Sequence, residues 1–191
     1  MKSPLFLLAL LLLVSTACDS QKTTANATTE DSQAVSAMKG NPEPVAGVTI
    51  EELDKKYPDK KKAYLAGGCF WCTEASLDRI QGVADVYSGY AGGAEKNPTY
   101  YEVAGGKTGH AEAIVVYYDP AVITYAEILD VFFIAHDPTQ LNRQGPDRGP
   151  QYRSAIFPLD AEQKRIAREK IAALDASGKF SSKVVTTIEA A

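Results

Sequence analysis

The chain has 191 residues, enough for one domain with a sizeable core, and its 45% hydrophobic and 23% charged residues are ordinary for a globular protein. A formal net charge of −4 excludes the broad basic surface that nucleic acid requires, so no nucleic-acid partner is expected. No internal repeat is visible.

The first residues read as a targeting segment. "MKSPLFLLALLLLVSTACDS" has one positive residue, Lys2, then an apolar run from Leu5 to Val14, then small residues. This is the layout of a secretory signal and is too short for a membrane span. Its end, "STAC", resembles a bacterial lipoprotein signal, in which the cysteine becomes the lipidated first residue of the mature chain. Here that residue is Cys18. Ser15 stands where such signals favour leucine, and the alternative is ordinary cleavage nearby that leaves Cys18 free. Lipidation also accounts for an odd total of three cysteines, since acylating Cys18 leaves a single pair, Cys69 and Cys72.

From Asp19 to about Gly47 the chain is rich in Thr, Ser, Ala and Asn and has almost no large apolar residue. Such a segment cannot bury enough surface to offset its ordering entropy, so it reads as a disordered tether. A flexible tether of about 30 residues has a typical reach of ~30 Å. The expected organisation is a signal over 1–17, a tether over 18–47 and a folded domain over 48–191. The protein is expected to be exported to the cell envelope, facing the periplasm or the surface, on a lipid anchor at Cys18.

Folding is expected to begin near Val48, after which "KKYPDKKK" reads as a charged lead-in. "AYLAG" predicts a short buried strand, and "CFWCTEASLDRI" a helix with Phe70, Ala75 and Leu77 on its apolar side. "GVADVYSGYAGG" predicts a strand that runs into a glycine turn. "GHAEAIVVYYDP" is β-branched and aromatic, a strong strand stopped at Asp119-Pro120. "TYAEILDVFFIAH" predicts a helix, capped by Thr124 with Glu127 and buried along Ile128, Leu129, Phe132 and Phe133. "YRSAIFP" predicts a strand. A second clear helix follows, with Asp160 and Gln163 as cap partners, Gly178 as its stop, and Ala167, Ile171 and Leu174 on one face. "KVVTTIE" predicts a last strand.

The first six elements spell a split β-α-β arrangement, so the fold class expected is α+β, a ferredoxin-like sandwich. Residues 91–109 and 137–153 do not read as regular structure. Long Gly/Pro loops inside a compact domain are usually functional, and the tyrosines in both argue against disorder.

The stretch "GGCFWC" concentrates the chemistry. A cysteine at a helix start meets free N–H groups and the positive end of the dipole, both of which favour a thiolate. A C-x-x-C pair closes too small a loop to stabilise much, which favours redox work over stapling. A structural disulfide or a buried small hydrophobe is the bland alternative. Zinc would need two further ligands, and His110 and His136 lack finger spacing, so no metal site is expected. Both histidines read as satisfied structural residues. A thioredoxin-like enzyme fits poorly, because Phe-Trp lies inside the pair where Gly-Pro is usual.

Within "GHAEAIVV", alternation puts His110, Glu112, Ile114 and Val116 on one side. If that side is the buried one, Glu112 is not a solvated surface residue, and an apolar neighbourhood would raise its pKa.

"GGCFWC", "GYAGG", "NPTYYEV", "TGHAEAIVVYYDP" and "FFIAHDPTQLNRQGPDRGPQYRSAIF", in this order and spacing, resemble the peptide methionine sulfoxide reductase A family from about Ala63 to Ile188. The resemblance implies thiol-dependent reduction of methionine S-sulfoxide, free or in proteins, and repair of oxidative damage. It implies Cys69 as the nucleophile that becomes a sulfenic acid, and Glu112 as proton donor to the sulfoxide oxygen. Tyr100 and Tyr152 match the tyrosines that hold that oxygen, Asp147 a supporting acid, and Phe70 and Trp71 the apolar wall around the methyl group. Many members resolve the sulfenic acid with cysteines in a C-terminal segment, and Cys72 is the internal candidate here. No metal or organic cofactor is implied; the reductant is expected to be a thioredoxin-like dithiol protein, and the enzyme a monomer. Two other readings stay open at this point: a non-catalytic tethered peptide-binding domain, and a general disulfide oxidoreductase.

Overall fold

The computed structural model describes residues 47–190. The expected signal, Cys18 and nearly all of the expected tether lie outside the described residues.

A helix not expected from the sequence comes first. Helix α1, Ile50–Lys56, is closed by a capping box in which Thr49 and Glu52 satisfy each other's backbone N–H groups. Strand β1 spans Lys61–Gly67 and begins in what reads as a charged lead-in, because Lys61 and Lys62 lie at its solvent-facing end. Helix α2, Phe70–Leu77, has Cys69 as its N-cap. Strand β2 is Val83–Ala91. Helix α3, Tyr100–Ala104, lies inside the first long loop and has a capping box of its own, Thr99 with Glu102. Strand β3 is Ala111–Tyr118, and helix α4, Tyr125–Ala135, carries the expected Thr124–Glu127 box. The second long loop holds a small hairpin of β4, Arg143–Gln144, and β5, Asp147–Arg148, followed by a 3₁₀ turn at Pro150–Tyr152. Strand β6 is Ser154–Phe157 and helix α5, Ala161–Ala176, is capped by Asp160 as expected. The last strand, β7, is limited to Thr187–Ile188.

The main sheet has the order β2-β3-β1-β6-β7. The first three pairings are antiparallel, and β7 joins β6 in parallel. Strand β3 therefore lies between β1 and β2, which is the split β-α-β arrangement of an α+β sandwich, extended by one edge strand.

One sheet face packs on the helices. Leu65, Ile114, Val116 and Ile156 meet Leu77 of α2, Leu129 and Phe132 of α4 and Ala167 of α5. The other face is also covered: Leu53 of α1 packs on Val115 and Tyr117. Ala111 and Ala113 on that face pack with Ala66, Ala91 and Phe157, so all eight residues of β3 are buried. Among the described residues no helix is long and apolar enough to cross a membrane.

Candidate active site

The site forms where β1 delivers the chain to α2. Gly68 turns the backbone there with φ +94°, and a Cβ at this position would lie 2.6 Å from Gln144 Cβ. Glycine removes both the steric conflict and the strain. Cys69 then caps α2 with its backbone: its carbonyl accepts from the N–H groups of Cys72 at 3.1 Å and Thr73 at 3.2 Å. The Cys69 side chain makes no capping hydrogen bond. Its thiol is half-buried against the main core, while Cys72 is exposed on the first turn of the same helix, and both are free thiols.

The first N–H of α2 is taken by a different group. Phe70 N–H donates to Glu112 Oε2 at 3.2 Å. Glu112 stands on the helix-facing side of β3, in line with Ile114 and Val116, and is 2% exposed. Burial pushes its carboxyl above the ordinary carboxylate range; the Phe70 N–H opposes the rise, and the charge of Asp147 adds to it. A buried acid that holds its proton above the ordinary range is a candidate proton donor.

Tyr100 is the first residue of α3, and its ring stacks on Trp71 with centroids 6.1 Å apart and planes at 21°. Trp71 in turn lies 5.2 Å from Phe70. Phe70 is buried and Trp71 is 60% exposed, so the aromatic pair makes an inner wall and an outer wall. Tyr152 ends the 3₁₀ turn. Its phenol is pushed above its usual range by burial first, then by the charges of Glu112, Asp147, Tyr100 and Cys69. The structure thus brings Cys69, Glu112, Asp147 and Tyr100, four of the expected site residues from separate segments, within electrostatic reach of Tyr152. The Cys72 thiol is raised above its ordinary value, chiefly by the negative charge of Cys69 and next by burial.

Both histidines serve the frame. His110 Nε2–H donates to the Glu95 carbonyl at 2.9 Å, and its Nδ1 accepts from Gly93 N–H at 3.3 Å. His136 Nδ1–H donates to the Phe132 carbonyl at 2.7 Å, and its Nε2 accepts from the Ser154 hydroxyl at 2.7 Å. Among the described residues no three His, Cys, Asp or Glu side chains are grouped to hold a metal ion. A groove of about 460 Å³ lies on the opposite face of the sheet, lined by Leu53, Tyr64, Tyr87 and Ala113 among others, and holds none of the expected site residues.

Three supporting residues escaped the sequence reading. Tyr90 pairs with Glu112 across β2 and β3 and sets its ring 5.8 Å from Phe70; burial raises its phenol to about 12. It lies in "GYAGG", a motif noted above without a role for its tyrosine. Gln144 grips the Asp137 peptide with both amide atoms, accepting from its N–H at 3.2 Å and donating to its carbonyl at 3.1 Å, and pairs with Asp147 across the hairpin. Gln151 donates to the Ala104 carbonyl at 2.9 Å, which ties the turn of Tyr152 to the helix of Tyr100. The Tyr90 and Gln151 contacts join segments far apart in sequence, and no sequence motif marks the Gln144 grip on Asp137.

Comparison with known proteins agrees with the geometry. A family model described as peptide methionine sulfoxide reductase matches residues 61–191. Peptide methionine sulfoxide reductase MsrA 1 of Rhodopirellula baltica is 53% identical over 137 residues, which are 72% of this chain and 70% of that protein. The MsrA of Deinococcus radiodurans is 54% identical over 132 residues, 69% of this chain and 64% of its own length. Among solved structures, reduced Mxr1 from Saccharomyces cerevisiae superposes with a TM-score of 0.62 at 40% identity, covering 70% of this chain and 77% of that one.

Proposed function

The chain belongs to the peptide methionine sulfoxide reductase family, a family of cofactor-free oxidoreductases, and from that premise we propose how its own residues reduce methionine S-sulfoxide. The observation that carries the reading is the buried Glu112 carboxyl, bonded through Oε2 to the N–H that follows Cys69. With Oε2 accepting from Phe70, Oε1 is the oxygen left to carry the acid's proton toward a bound oxygen.

A sulfoxide is dipolar, with an electrophilic sulfur, a basic oxygen and an apolar methyl group. Phe70 and Trp71 accept the methyl group. Glu112, Tyr100 and Tyr152 direct acidic hydrogens at the oxygen; burial raises the Glu112 carboxyl, and the charge of Asp147 adds to that rise. The Cys69 thiolate attacks the sulfoxide sulfur as Glu112 protonates the oxygen. The protonated oxygen then passes from the methionine sulfur to Cys69 Sγ: the Sγ–O bond forms as the S–O bond and the transient Sγ–S bond break, methionine leaves reduced by two electrons, and Cys69 is left oxidised by two electrons as a sulfenic acid.

Cys72 then attacks the Cys69 sulfur, the disulfide forms and water leaves. The charge of Cys69 is the largest cause that raises the Cys72 thiol, and a neutral sulfenic acid no longer supplies it. A thioredoxin-like dithiol protein would reduce the disulfide by exchange at the exposed Cys72 sulfur.

The enzyme would work as a monomer in the cell envelope, lipid-anchored at Cys18, repairing oxidised proteins and free methionine sulfoxide. The support for that placement is the apolar run from Leu5 to Val14 behind Lys2 and the small residues before Cys18. Two experiments test the two halves. Turnover of methionine S-sulfoxide with a dithiol should vanish in Cys69→Ser. Mass spectrometry of the mature N-terminus should find a lipidated Cys18, and an unmodified Cys18 would remove the anchor.

A further inference from the structure

Beyond the methyl pocket, the aromatic wall continues onto a surface with no assigned role. Trp71 is 60% exposed, Tyr100 43% and Tyr101 66%. Tyr101 packs edge-on against Tyr100, with centroids 5.7 Å apart and planes at 75°. The three rings make one strip that starts at the Cys69 pocket and ends at Tyr101. The strip is held rigidly. The capping box of Thr99 and Glu102 fixes the start of α3, the fully buried Val103 fixes its underside, and Gln151 holds the Ala104 carbonyl. Exposed aromatic rings on a fixed frame, continuous with a binding site, are the usual composition of a recognition surface.

The spacing says what would fit. Successive ring centroids are 6.1 Å and 5.7 Å apart. In an extended peptide, side chains that point the same way recur every two residues, roughly 6.7 Å apart. With a methionine sulfoxide side chain in the pocket and its oxygen at Tyr100, the side chain two positions away reaches Tyr101.

We infer that Tyr101 is a specificity-determining residue, which binds a large apolar or aromatic side chain two positions from the sulfoxide in an extended peptide. The inference rests on the reductase reading and adds the substrate class to it: unfolded protein segments with apolar residues at alternate positions. A helical segment turns its i±2 side chain away from the methionine and cannot use the strip.

The test uses the full chain with a dithiol and four S-sulfoxide substrates. They are the free amino acid, an all-alanine heptapeptide around the sulfoxide, one with Phe at both ±2 positions and one with Phe at both ±1 positions. The wild type should prefer the ±2 peptide over the alanine peptide by about three- to tenfold in kcat/KM, the range of an aromatic pair. In Tyr101→Ala that ratio should fall to near one through a higher KM, and Tyr101→Phe should retain it. No ±2 preference, a stronger ±1 preference, or a ratio unchanged in Tyr101→Ala would overturn the inference alone. Failure of the wild type on all four substrates, the free amino acid included, would overturn the reductase reading and the inference with it.

Discussion

The Phe70 backbone N–H points at the Glu112 carboxylate, 3.2 Å away, and not at the Cys69 thiol beside it. The start of α2 thus couples the acid to the helix that carries the nucleophile. It was expected to act on the sulfur; in the structure its first donor serves Glu112, the proposed proton donor. Glu112 of β3 is thereby anchored to the residue that follows Cys69 in the chain.

Glu112→Gln tests the donor. The amide keeps an oxygen for the Phe70 N–H and loses the acidic proton. kcat/KM for S-sulfoxide should fall by about 10²- to 10⁴-fold, the usual weight of a general acid. The pH profile carries the sign. Because the folded-state pKa of Glu112 is raised, the acid form persists above the ordinary value of 4.5 and activity declines as pH rises through the raised value. That limb should be missing in Glu112→Gln. The same shift destabilises the fold as pH rises through this window, so the variant should lose less stability than the wild type between acid and neutral pH, as read by urea unfolding.

Cys72→Ser separates chemistry from recycling. One equivalent of methionine should still form per chain, and turnover with dithiols should be lost. Normal cycling of the variant with a thioredoxin-like protein would remove Cys72 from the resolving role.

Cys69→Ser tests the charge relation between the two sulfurs. The negative charge of Cys69 is the largest cause of the raised Cys72 thiol. Without it, Cys72 should ionise at lower pH and react faster with iodoacetamide in a pH series. An unchanged alkylation profile would show that the two sulfurs do not sense each other.

His136 makes an acid-sensitive lock far from the chemistry in sequence. Burial pulls its imidazole from 6.5 down to about 4, and it joins α4 to β6 through Ser154, whose hydroxyl also meets Thr186. Between these values the unfolded chain takes a proton that the native one refuses, so stability is lost as pH falls from 6.5 to 4, by about 3 kcal/mol. His136→Gln should be less stable at neutral pH and flatter across that interval in denaturant titrations.

The legibility of this fold followed the length of its elements. Helices α4 and α5 were readable because caps at Thr124 and Asp160 precede apolar stripes long enough to show a period. The same Thr-x-x-Glu signal stands at Thr49 and Thr99, yet α1 has seven residues and α3 five, too few for periodicity to emerge. The hidden α1 also covers part of the second face of β3, where Leu53 packs on Val115 and Tyr117 opposite the side of Glu112. At the site, Cys69, Glu112, Tyr100 and Tyr152 stood out through motif resemblance, and their convergence needed the folded sheet. Tyr90 and Gln144 were not readable, because their meaning lies in a cross-strand pairing with Glu112 and a grip on Asp137.

Gly68→Ala tests the turn that delivers the nucleophile. A φ of +94° and a Cβ 2.6 Å from Gln144 Cβ add strain of about 1–3 kcal/mol. Stability should fall by that order in urea unfolding, and S-sulfoxide reduction should fall further than stability alone explains, because Cys69 must move from Glu112.

The most direct measurement is stoichiometric. The reduced chain is mixed with the separated S and R epimers of a methionine sulfoxide peptide, without recycling reductant, and methionine formed and thiols lost are counted. The account predicts product from the S epimer alone, close to one methionine per chain, with the Cys69 and Cys72 thiols both consumed. A folded chain that yields no methionine from either epimer, or yields it equally from both, would contradict it.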